Sequence, residues 1–248
     1  MKISKALAKK HTEALRLVRA GRPLTLDERE FVLEHFHEGA EHMNALAGAF
    51  FTPLGLARDL AIETTGSKKI LDLCAGIGRL ASACERDDVE LTCVELNPAY
   101  VEAGRAALPN ARWIQASAFD LGAYMKFGPF DTVISNPPFG KTGSDAAEHI
   151  GKYTGGLFEF KVIETALLTG AAYGVFVVPQ QSAPFRYSGV PCFKPCEEEH
   201  VRKFREQTGI LMEPNCGIDT TCYRADWRGT SPVCEIVLCD FETSPAST

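Results

Sequence analysis

Apolar residues follow two alternating patterns along the chain. Short, almost continuous apolar runs have the length and composition of buried strands. Five of them are found at residues 68–76, 89–97, 111–119, 130–136 and 173–179. Between these runs lie segments with apolar residues at helical spacing, among them 98–108 and 158–171. Continuous apolar strands that alternate with helices predict a parallel, doubly wound α/β sheet with helices on both faces.

The two ends of the chain depart from this alternation. Residues 1–47 have helical patterns only, and Thr25 followed by Glu28 is typical of a capping box at a helix start. Near the other end, 217–227 and 229–241 read as two strands joined by a turn, which predicts an antiparallel hairpin. We therefore expect three parts. They are an N-terminal helical segment (1–47), an α/β domain (48–241) and a loose tail (242–248).

Composition is that of an ordinary globular protein, with 45% hydrophobic and 23% charged residues. A net charge of −6 argues against a protein that coats nucleic acid by bulk electrostatics. The first 22 residues are nevertheless basic and contain a single acid, Glu13, so that this arm is able to meet phosphates or simply form a solvated helix face. The sequence has no apolar run long enough to span a membrane and no secretory signal, so a cytoplasmic location is expected.

The nine cysteines favour reduced thiols over a disulfide framework, because their number is odd and the chain is long. The densest group comprises Cys192, Cys196 and His200, followed by Cys216 and Cys222. A zinc site is conceivable there, but a paired C-x-x-C does not occur, and solvated loop thiols are the favoured interpretation. No metal is expected.

The junction after the first predicted strand has the features of a nucleotide-binding loop. Gly76 and Gly78 follow Asp72 at the turn from strand to helix, where glycine lets the backbone approach a ligand closely. Glu95 ends the second predicted strand, 23 residues after Asp72, and an acid at that place can accept both hydroxyls of a ribose. Together these features predict a site for a nucleoside-containing cofactor.

With the stretch "SNPPFG" (135–140) after the fourth strand, the chain resembles the class I S-adenosylmethionine-dependent methyltransferases over about residues 50 to 240. Within that class it is similar to adenine-N6 DNA methyltransferases, which have an "FFTP"-like element before the glycine loop and an Asn-Pro-Pro-Phe motif after it. The element is found here at 50–53. The resemblance implies a Rossmann-like fold with a seven-stranded, mostly parallel sheet that ends in an antiparallel hairpin.

The resemblance also implies S-adenosyl-L-methionine as the cofactor. The positions that would bind it are Phe51, Thr52, Pro53, Asp72, Cys74, Ala75, Gly76, Gly78, Glu95, Leu96, Ser117, Ala118 and Asn136. One departure concerns the third strand, which in these enzymes ends in Gly-Asp-Ala. Here Ala116 and Ser117 take the places of Gly and Asp, which puts the cofactor affinity in question.

By the same resemblance, Asn136, Pro137, Pro138 and Phe139 are the catalytic residues. The lone pair of an exocyclic adenine amine is delocalised into the ring, and two acceptors that hold its hydrogens make it available. The Asn136 side-chain carbonyl and the Pro137 backbone carbonyl are those acceptors, fixed in advance by two rigid residues. Phe139 then stacks on the base.

Two further residues, Lys141 and Tyr153, are candidates for substrate binding, because they lie in the long loop 140–156 directly after this motif. The loop could close over an inserted nucleotide or be a plain surface connection. In duplex DNA the amine is paired, so that such an enzyme must extrude the base or act on single strands.

Four functions compete. DNA adenine-N6 methylation is the first hypothesis, and RNA adenine-N6 methylation is the second, since ribosomal RNA enzymes share "NPPFG". Methylation of a protein glutamine uses a similar turn but typically Tyr in place of Phe139. The last alternative is a non-catalytic module that binds nucleic acid or a partner on the same fold. The intact Asn136 to Phe139 motif argues against that module.

Overall fold

A central sheet organises the chain in the computed structural model, which describes residues 4–37, 50–141, 148–228 and 230–243. The strands are β1 Lys69–Leu73, β2 Glu90–Glu95, β3 Arg112–Gln115, β4 Thr132–Ser135, β5 Tyr173–Pro179, β6 Phe185–Arg186, β7 Lys194–Pro195, β8 Glu213–Pro214 and β9 Cys234–Asp240. The α-helices are α1 Lys5–Val18, α2 Leu26–His35, α3 Leu54–Ile62, α4 Arg79–Ala83, α5 Pro98–Ala107, α6 Leu121–Tyr124, α7 Phe158–Leu168 and α8 Glu199–Thr208. Short 3₁₀ turns are formed by Met125–Phe127, Gln180–Ser182 and Thr220–Tyr223.

The sheet has seven strands in the order β3-β2-β1-β4-β5-β9-β8. The first five of these pair in parallel, whereas β9 runs antiparallel to both β5 and β8. The order reverses between β1 and β4, and in such open sheets the ligand crevice lies at the carboxyl ends of the strands beside the reversal. The predicted fold, a mostly parallel seven-stranded sheet with an antiparallel end, is confirmed.

Both faces of the sheet are buried, which explains why its strands read as continuous apolar runs. Along β5, Val175 and Val177 pack into the apolar cluster on one face, whereas Phe176 and Val178 pack into the cluster on the other. A third cluster joins α1 and α2 to α5 and also contains Phe51. The N-terminal helices are therefore packed onto the α/β core.

The predicted strand at 217–227 is wrong. Asp219 accepts a hydrogen bond from the Thr221 amide (2.9 Å), which turns the chain, and the 3₁₀ turn Thr220–Tyr223 follows. The Thr220 hydroxyl donates to the Cys234 carbonyl (2.7 Å) and fixes this turn against β9. The outer neighbour of β9 is instead the short strand β8.

The segment 180–216, which follows β5, contains regular structure. β6 and β7 pair with each other, and α8 follows them. On α8 the side chains of Val201, Phe204 and Thr208 are buried, and the helix ends at Gly209 in the left-handed conformation. This spacing of three and four residues, closed by a glycine, was the available signal for the helix.

The capping box predicted at the start of α2 is present. The Thr25 hydroxyl accepts from the Glu28 amide (3.3 Å), and the Glu28 carboxylate accepts from the Thr25 amide (2.9 Å). The helix ends at His35, because Phe36 has an extended backbone. The rest of the predicted helix, 38–48, lies outside the described residues, as does most of the predicted tail, 244–248.

Across the described residues, no helix is both long and apolar enough to cross a membrane. The same residues contain no cluster of three His, Cys, Asp or Glu side chains that could hold a metal ion. His200 instead bonds through Nε2 to the Gln181 carbonyl (2.9 Å), and Cys192 is exposed.

Candidate active site

The glycine loop between β1 and α4 is closely packed against its surroundings. Gly76 and Gly78 have φ of +58° and +86°, in the left-handed region that favours glycine. A Cβ at Gly78 would lie 2.5 Å from the Leu108 side chain, and one at Gly76 would lie 3.0 Å from the Phe51 ring. Cys74 also has a positive φ, +60°, although it is not glycine. The loop therefore needs its two glycines and holds Cys74 in a strained conformation.

Asp72 lies beneath this loop and is 1% exposed. Neither of its carboxylate oxygens has a hydrogen-bond partner within the described part of the chain. Burial raises the pKa of Asp72 well above its ordinary value; the Ala81 backbone N–H opposes this shift, and the Glu95 carboxylate adds to it. A buried acid without a partner is costly to ionise, so this position is complementary to a ligand that brings a cation.

Glu95, at the end of β2, is bound to the backbone of two loops. Its Oε2 accepts from the Gly76 amide and its Oε1 from the Asn97 amide, each at 2.8 Å. Burial raises the pKa of Glu95, and these amides oppose that shift. The next residue, Leu96, is 51% exposed. The Glu95 carboxylate suits the hydroxyls of a ribose, and the exposed apolar side chain of Leu96 suits a base beside that ribose.

The end of β3 meets the same crevice. The Ala116 amide donates to the Glu95 carbonyl (3.1 Å), and this bond keeps the chain after β3 beside Glu95. The Ser117 hydroxyl accepts from the Phe119 amide (3.2 Å), which caps the turn, and Ala118 is buried. Ser117 is thus beside the predicted base position, with its hydroxyl hydrogen left to donate.

Asn136, after β4, is fixed by the segment that precedes α3. Its Nδ2 donates to the Phe50 carbonyl (2.9 Å) and to the Thr52 hydroxyl (3.0 Å). A carbonyl only accepts, so that the amide nitrogen must face it, and both amide hydrogens are used. No donor within the described part of the chain pairs with Oδ1. The side chain therefore offers a bare, oriented acceptor.

Asp72 and Asn136 line one pocket, an open cleft of about 260 Å³ that includes solvent at its mouth, whereas Glu95 and Ser117 are not part of its lining. Its lining consists of Phe50, Phe51, Thr52, Asp72, Cys74, Ala75, Gly76, Arg79, Leu80 and Asn136. Seven of the predicted residues are in this set, from the segment before α3, the end of β1 and the end of β4. Pro53 is instead the N-cap of α3, and Gly78 that of α4.

The rest of the motif after β4 extends from this pocket. Pro137 is buried, whereas Pro138 and Phe139 are half-buried. Phe139 packs on the apolar cluster that contains Ile134 and Trp227. Gly140 follows with a φ of +81°, so the chain turns sharply directly after the aromatic residue.

Two glutamates that the sequence analysis missed hold the loops around this motif. Glu159, fully buried at the start of α7, accepts from the Gly140 amide through Oε2 and from the Ser182 hydroxyl through Oε1, both at 2.8 Å. It thereby links the turn after β4 to the turn after β5. Glu235 of β9, also fully buried, accepts from the Gln180 side chain (2.8 Å) and from the Ser188 hydroxyl (2.9 Å). Neither stands in a recognisable motif.

Arg79 is a third residue that the sequence did not single out. It is 4% exposed, and its guanidinium donates to the Leu33 carbonyl (2.7 Å) and the Glu34 carbonyl (3.2 Å) in the last turn of α2. It also lies 5.5 Å from the centre of the Phe51 ring. A cation suits the carbonyl end of a helix, so Arg79 ties the N-terminal helices to the pocket wall.

The structure does not bring Tyr153 to the pocket. Its ring is 5% exposed and packs edge-on against Phe160 and Phe204, at centroid distances of 5.5 and 5.4 Å. Glu164 of α7 accepts from the Tyr153 amide (3.0 Å) and fixes the chain there. Lys141 is exposed at the other end of this loop. Tyr153 thus belongs to the core, whereas 142–147 of the predicted closing loop lie outside the described residues.

Comparison with known proteins identifies the family of the chain. Residues 56–153 match the methyltransferase small domain family. The chain is 30% identical to the tRNA1(Val) (adenine(37)-N6)-methyltransferase of Actinobacillus succinogenes over 188 residues, which are 67% of this chain and 75% of that protein. The chain belongs to the class I S-adenosylmethionine-dependent methyltransferases, in the family of small-domain enzymes that includes this relative, and its cofactor is S-adenosylmethionine.

Two further matches support the assignment. The enzyme of the same description from Tolumonas auensis is 26% identical over 194 residues, covering 74% of this chain and 72% of the relative. Among solved structures, a provisionally assigned RNA methyltransferase of Pyrococcus horikoshii superposes with a TM-score of 0.51 at 16% identity, covering 94% of this chain and 98% of that one. At that identity the structural match bears on the fold alone.

Proposed function

We propose that this protein transfers a methyl group from S-adenosylmethionine to the exocyclic N6 amine of an adenine in RNA, with tRNA as the favoured substrate. The single observation that carries the proposal is the orientation of Asn136. Both of its amide hydrogens are used within the protein, so that Oδ1 is left to accept a hydrogen from a substrate amine at the pocket. A substrate amine, which donates hydrogen bonds, fits at this oxygen, whereas an anion does not.

The pocket fits the cofactor on its own chemistry. The unpartnered carboxylate of Asp72 suits the ammonium of the methionine end, and the Glu95 carboxylate suits the ribose hydroxyls. Gly76 leaves space where a side chain would meet the Phe51 ring. S-adenosylmethionine, when bound, supplies an electrophilic methyl group. The protein's own residues have the remaining task, which is to hold the amine in a reactive state.

Asn136 Oδ1 and the Pro137 carbonyl are the two acceptors proposed for the amine hydrogens. Pro137 and Pro138 restrict the backbone, so that the second acceptor is fixed before the substrate arrives. Phe139 contributes the face on which the base stacks, worth roughly 1–3 kcal/mol. A general base is not required before transfer, since the proton leaves afterwards from a cationic nitrogen.

RNA is preferred over DNA because of the relatives rather than the site. The two curated relatives of highest coverage are both described as tRNA adenine-N6 methyltransferases. The DNA substrate expected from the order of "FFTP", glycine loop and "NPPF" has no such support. The local chemistry at the adenine is the same for both nucleic acids, which explains why those motifs did not distinguish them.

The test is methyl transfer from tritiated S-adenosylmethionine to unmodified tRNA transcripts, single-stranded DNA and duplex DNA. We expect label in tRNA, found in N6-methyladenosine after nuclease digestion. Asn136→Ala should lower kcat by about 10²–10³-fold. Asn110→Ala, a matched change at an exposed asparagine bonded to Glu85, should leave it unchanged.

Phe139→Ala should weaken catalysis more than cofactor binding, because the ring is proposed to contact the base alone. Equal losses of both would contradict the stacking role. Label that enters DNA but not tRNA would overturn the RNA assignment. Label in neither, with intact cofactor binding, would overturn adenine-N6 transfer altogether.

A further inference from the structure

The exposed side of α1 has a continuous row of basic side chains. At 100° per residue, Lys5, Lys9, Arg16 and Arg19 (just after the helix) fall within an arc of roughly 80°. All four are exposed, whereas His11, Ala14 and Leu17 are buried on the opposite side. The row, which we call the α1 basic row, extends over about 21 Å from Lys5 to Arg19. It is a linear cationic surface on a protein of net charge −6.

Most of this charge is not neutralised by the protein. Arg16 pairs with Glu13 at 2.6 Å, and Glu13 is the sole acid of the helix. Lys5, Lys9 and Arg19 have no acidic partner within the part of the chain that the structure describes. By contrast, two lysines at the amino end of β1 are paired with acids: Lys68 with Asp88, and Lys69 with Glu90.

The amino-terminal half of the row is unfavourable for the helix itself. Lys5 occupies the first turn, where the helix dipole favours acids, and that turn contains none. Lys5 and Lys9 are like charges four residues apart, which destabilises a helix by a few tenths of a kcal/mol. Arg16 and Arg19, at the carboxyl end, suit the helix dipole, so that folding of α1 leaves Lys5 and Lys9 unaccounted for, whereas binding of a polyanion accounts for all four.

The row is also connected to the active site. α1 packs on α2 and α5 through Ala14 and Leu17. The last turn of α2 is in turn held by Arg79, a residue of the pocket wall. A strand of nucleic acid along α1 would thus be held by an element fixed to the pocket rather than by a free arm.

We infer that the α1 basic row binds the phosphate backbone of the RNA substrate. The inference rests on the proposed function for the identity of the nucleic acid. Phosphate contacts are independent of sequence, so that the row would contribute affinity and orientation, and Asn136 with Phe139 would select the base. It accounts for how an acidic protein binds a strongly anionic substrate.

The test compares two triple variants of the full chain that change net charge equally. Lys5→Gln, Lys9→Gln, Arg19→Gln removes the three cations of the row that have no acidic partner and leaves Arg16 with Glu13. Lys68→Gln, Lys69→Gln, Arg86→Gln removes three cations near the amino ends of the strands. Binding of a fluorescent tRNA transcript is measured by anisotropy between 50 and 300 mM salt, and methyl transfer and S-adenosylhomocysteine binding are measured beside it.

We expect the α1 variant to bind tRNA roughly tenfold more weakly. The slope of log K against log salt concentration should be less negative by about 2–3. Its kcat at saturating RNA and its affinity for S-adenosylhomocysteine should be those of wild type. The control triple should match wild type throughout. Wild-type affinity and slope in the α1 variant, or equal losses in both triples, would overturn the inference. Because binding is read directly, this outcome is separate from a failure of wild type to methylate RNA.

Discussion

Asp72 gives the sharpest test of the site, because one substitution should change stability and cofactor binding in opposite directions. The carboxylate is buried without a partner, and burial raises its pKa. The folded protein therefore holds a proton that the unfolded chain has already released. The free energy of unfolding falls as the pH rises from the unfolded pKa of about 3.9 to the raised folded pKa. Asp72→Asn removes this penalty.

The size of the gain has an upper bound. At pH 7, protonating a group of pKa about 3.9 costs at most about 4 kcal/mol, since each pH unit corresponds to about 1.4 kcal/mol. A buried amide without partners takes back part of that gain, so we expect Asp72→Asn to stabilise the ligand-free protein by about 1–3 kcal/mol. For a chain of this size each kcal/mol raises Tm by about 2–4 °C. The gain should shrink to about 0.5 kcal/mol or less near pH 4, where about half of the unfolded chains already carry this proton.

The ligand supplies the second half of the test. S-adenosylhomocysteine retains the ammonium group, and at a hundredfold excess over Kd a ligand adds about 2.7 kcal/mol of stability. We expect this increase for wild type and little of it for Asp72→Asn. Differential scanning calorimetry at pH 4 to 9, with and without ligand, measures both effects, and Asp87→Asn at an exposed position is the control. A variant that is less stable than wild type at pH 7, or that gains the full ligand increment, would refute the reasoning.

Three further outcomes test the packing of the site. Glu159→Ala should lower kcat by roughly 10–100-fold and the free energy of unfolding by about 2–4 kcal/mol, with cofactor affinity retained. Glu159→Gln keeps an acceptor for the Gly140 amide and should recover most of both losses. Equal losses in the two variants would contradict the positioning role. Gly104→Ala should cost about 1–3 kcal/mol in denaturant unfolding, since its Cβ would lie 2.1 Å from the Trp113 ring, and Gly122→Ala, with its nearest atom at 3.4 Å, should be neutral. Tyr153→Phe should leave KM for RNA unchanged, and a large rise in KM would show that the Tyr153 hydroxyl reaches the substrate after all.

The sequence was sufficient for the centre of the sheet because β1, β4 and β5 are buried on both faces. A short, continuous apolar run such as that of β5 is typical of a strand covered on both sides, and the predicted and observed bounds of β5, 173–179, coincide. The capping box of α2 could be predicted for a different reason, since its hydrogen bonds join residues three apart. The local hydrogen bonds of the cap and the burial of the central strands could thus be predicted from the sequence before any tertiary contact was known.

The outer part of the sheet could not be predicted from the sequence in this way. β8 consists of two residues, too short for any periodicity, and it exists because β9 offers an unpaired edge. The segment 217–227 has residues that favour strands, but the Asp219 turn and the bond from Thr220 to β9 prevail over that preference. Tyr153 in its loop was likewise indistinguishable from a surface aromatic until Phe160 and Phe204 were placed around it.

The site likewise has features that the sequence indicates and features that depend on the tertiary structure. The sequence by itself singled out Gly76, Glu95 and Asn136 as candidates for the chemistry, because they stand at the ends of strands where such folds bind ligands. Only the tertiary structure decided how they are held: Thr52 orients Asn136 across 84 positions, and Glu159 joins two loops from within a helix. Hydrogen bonds between distant segments leave no periodic trace in a sequence, since their partners are set by the packing of the whole chain.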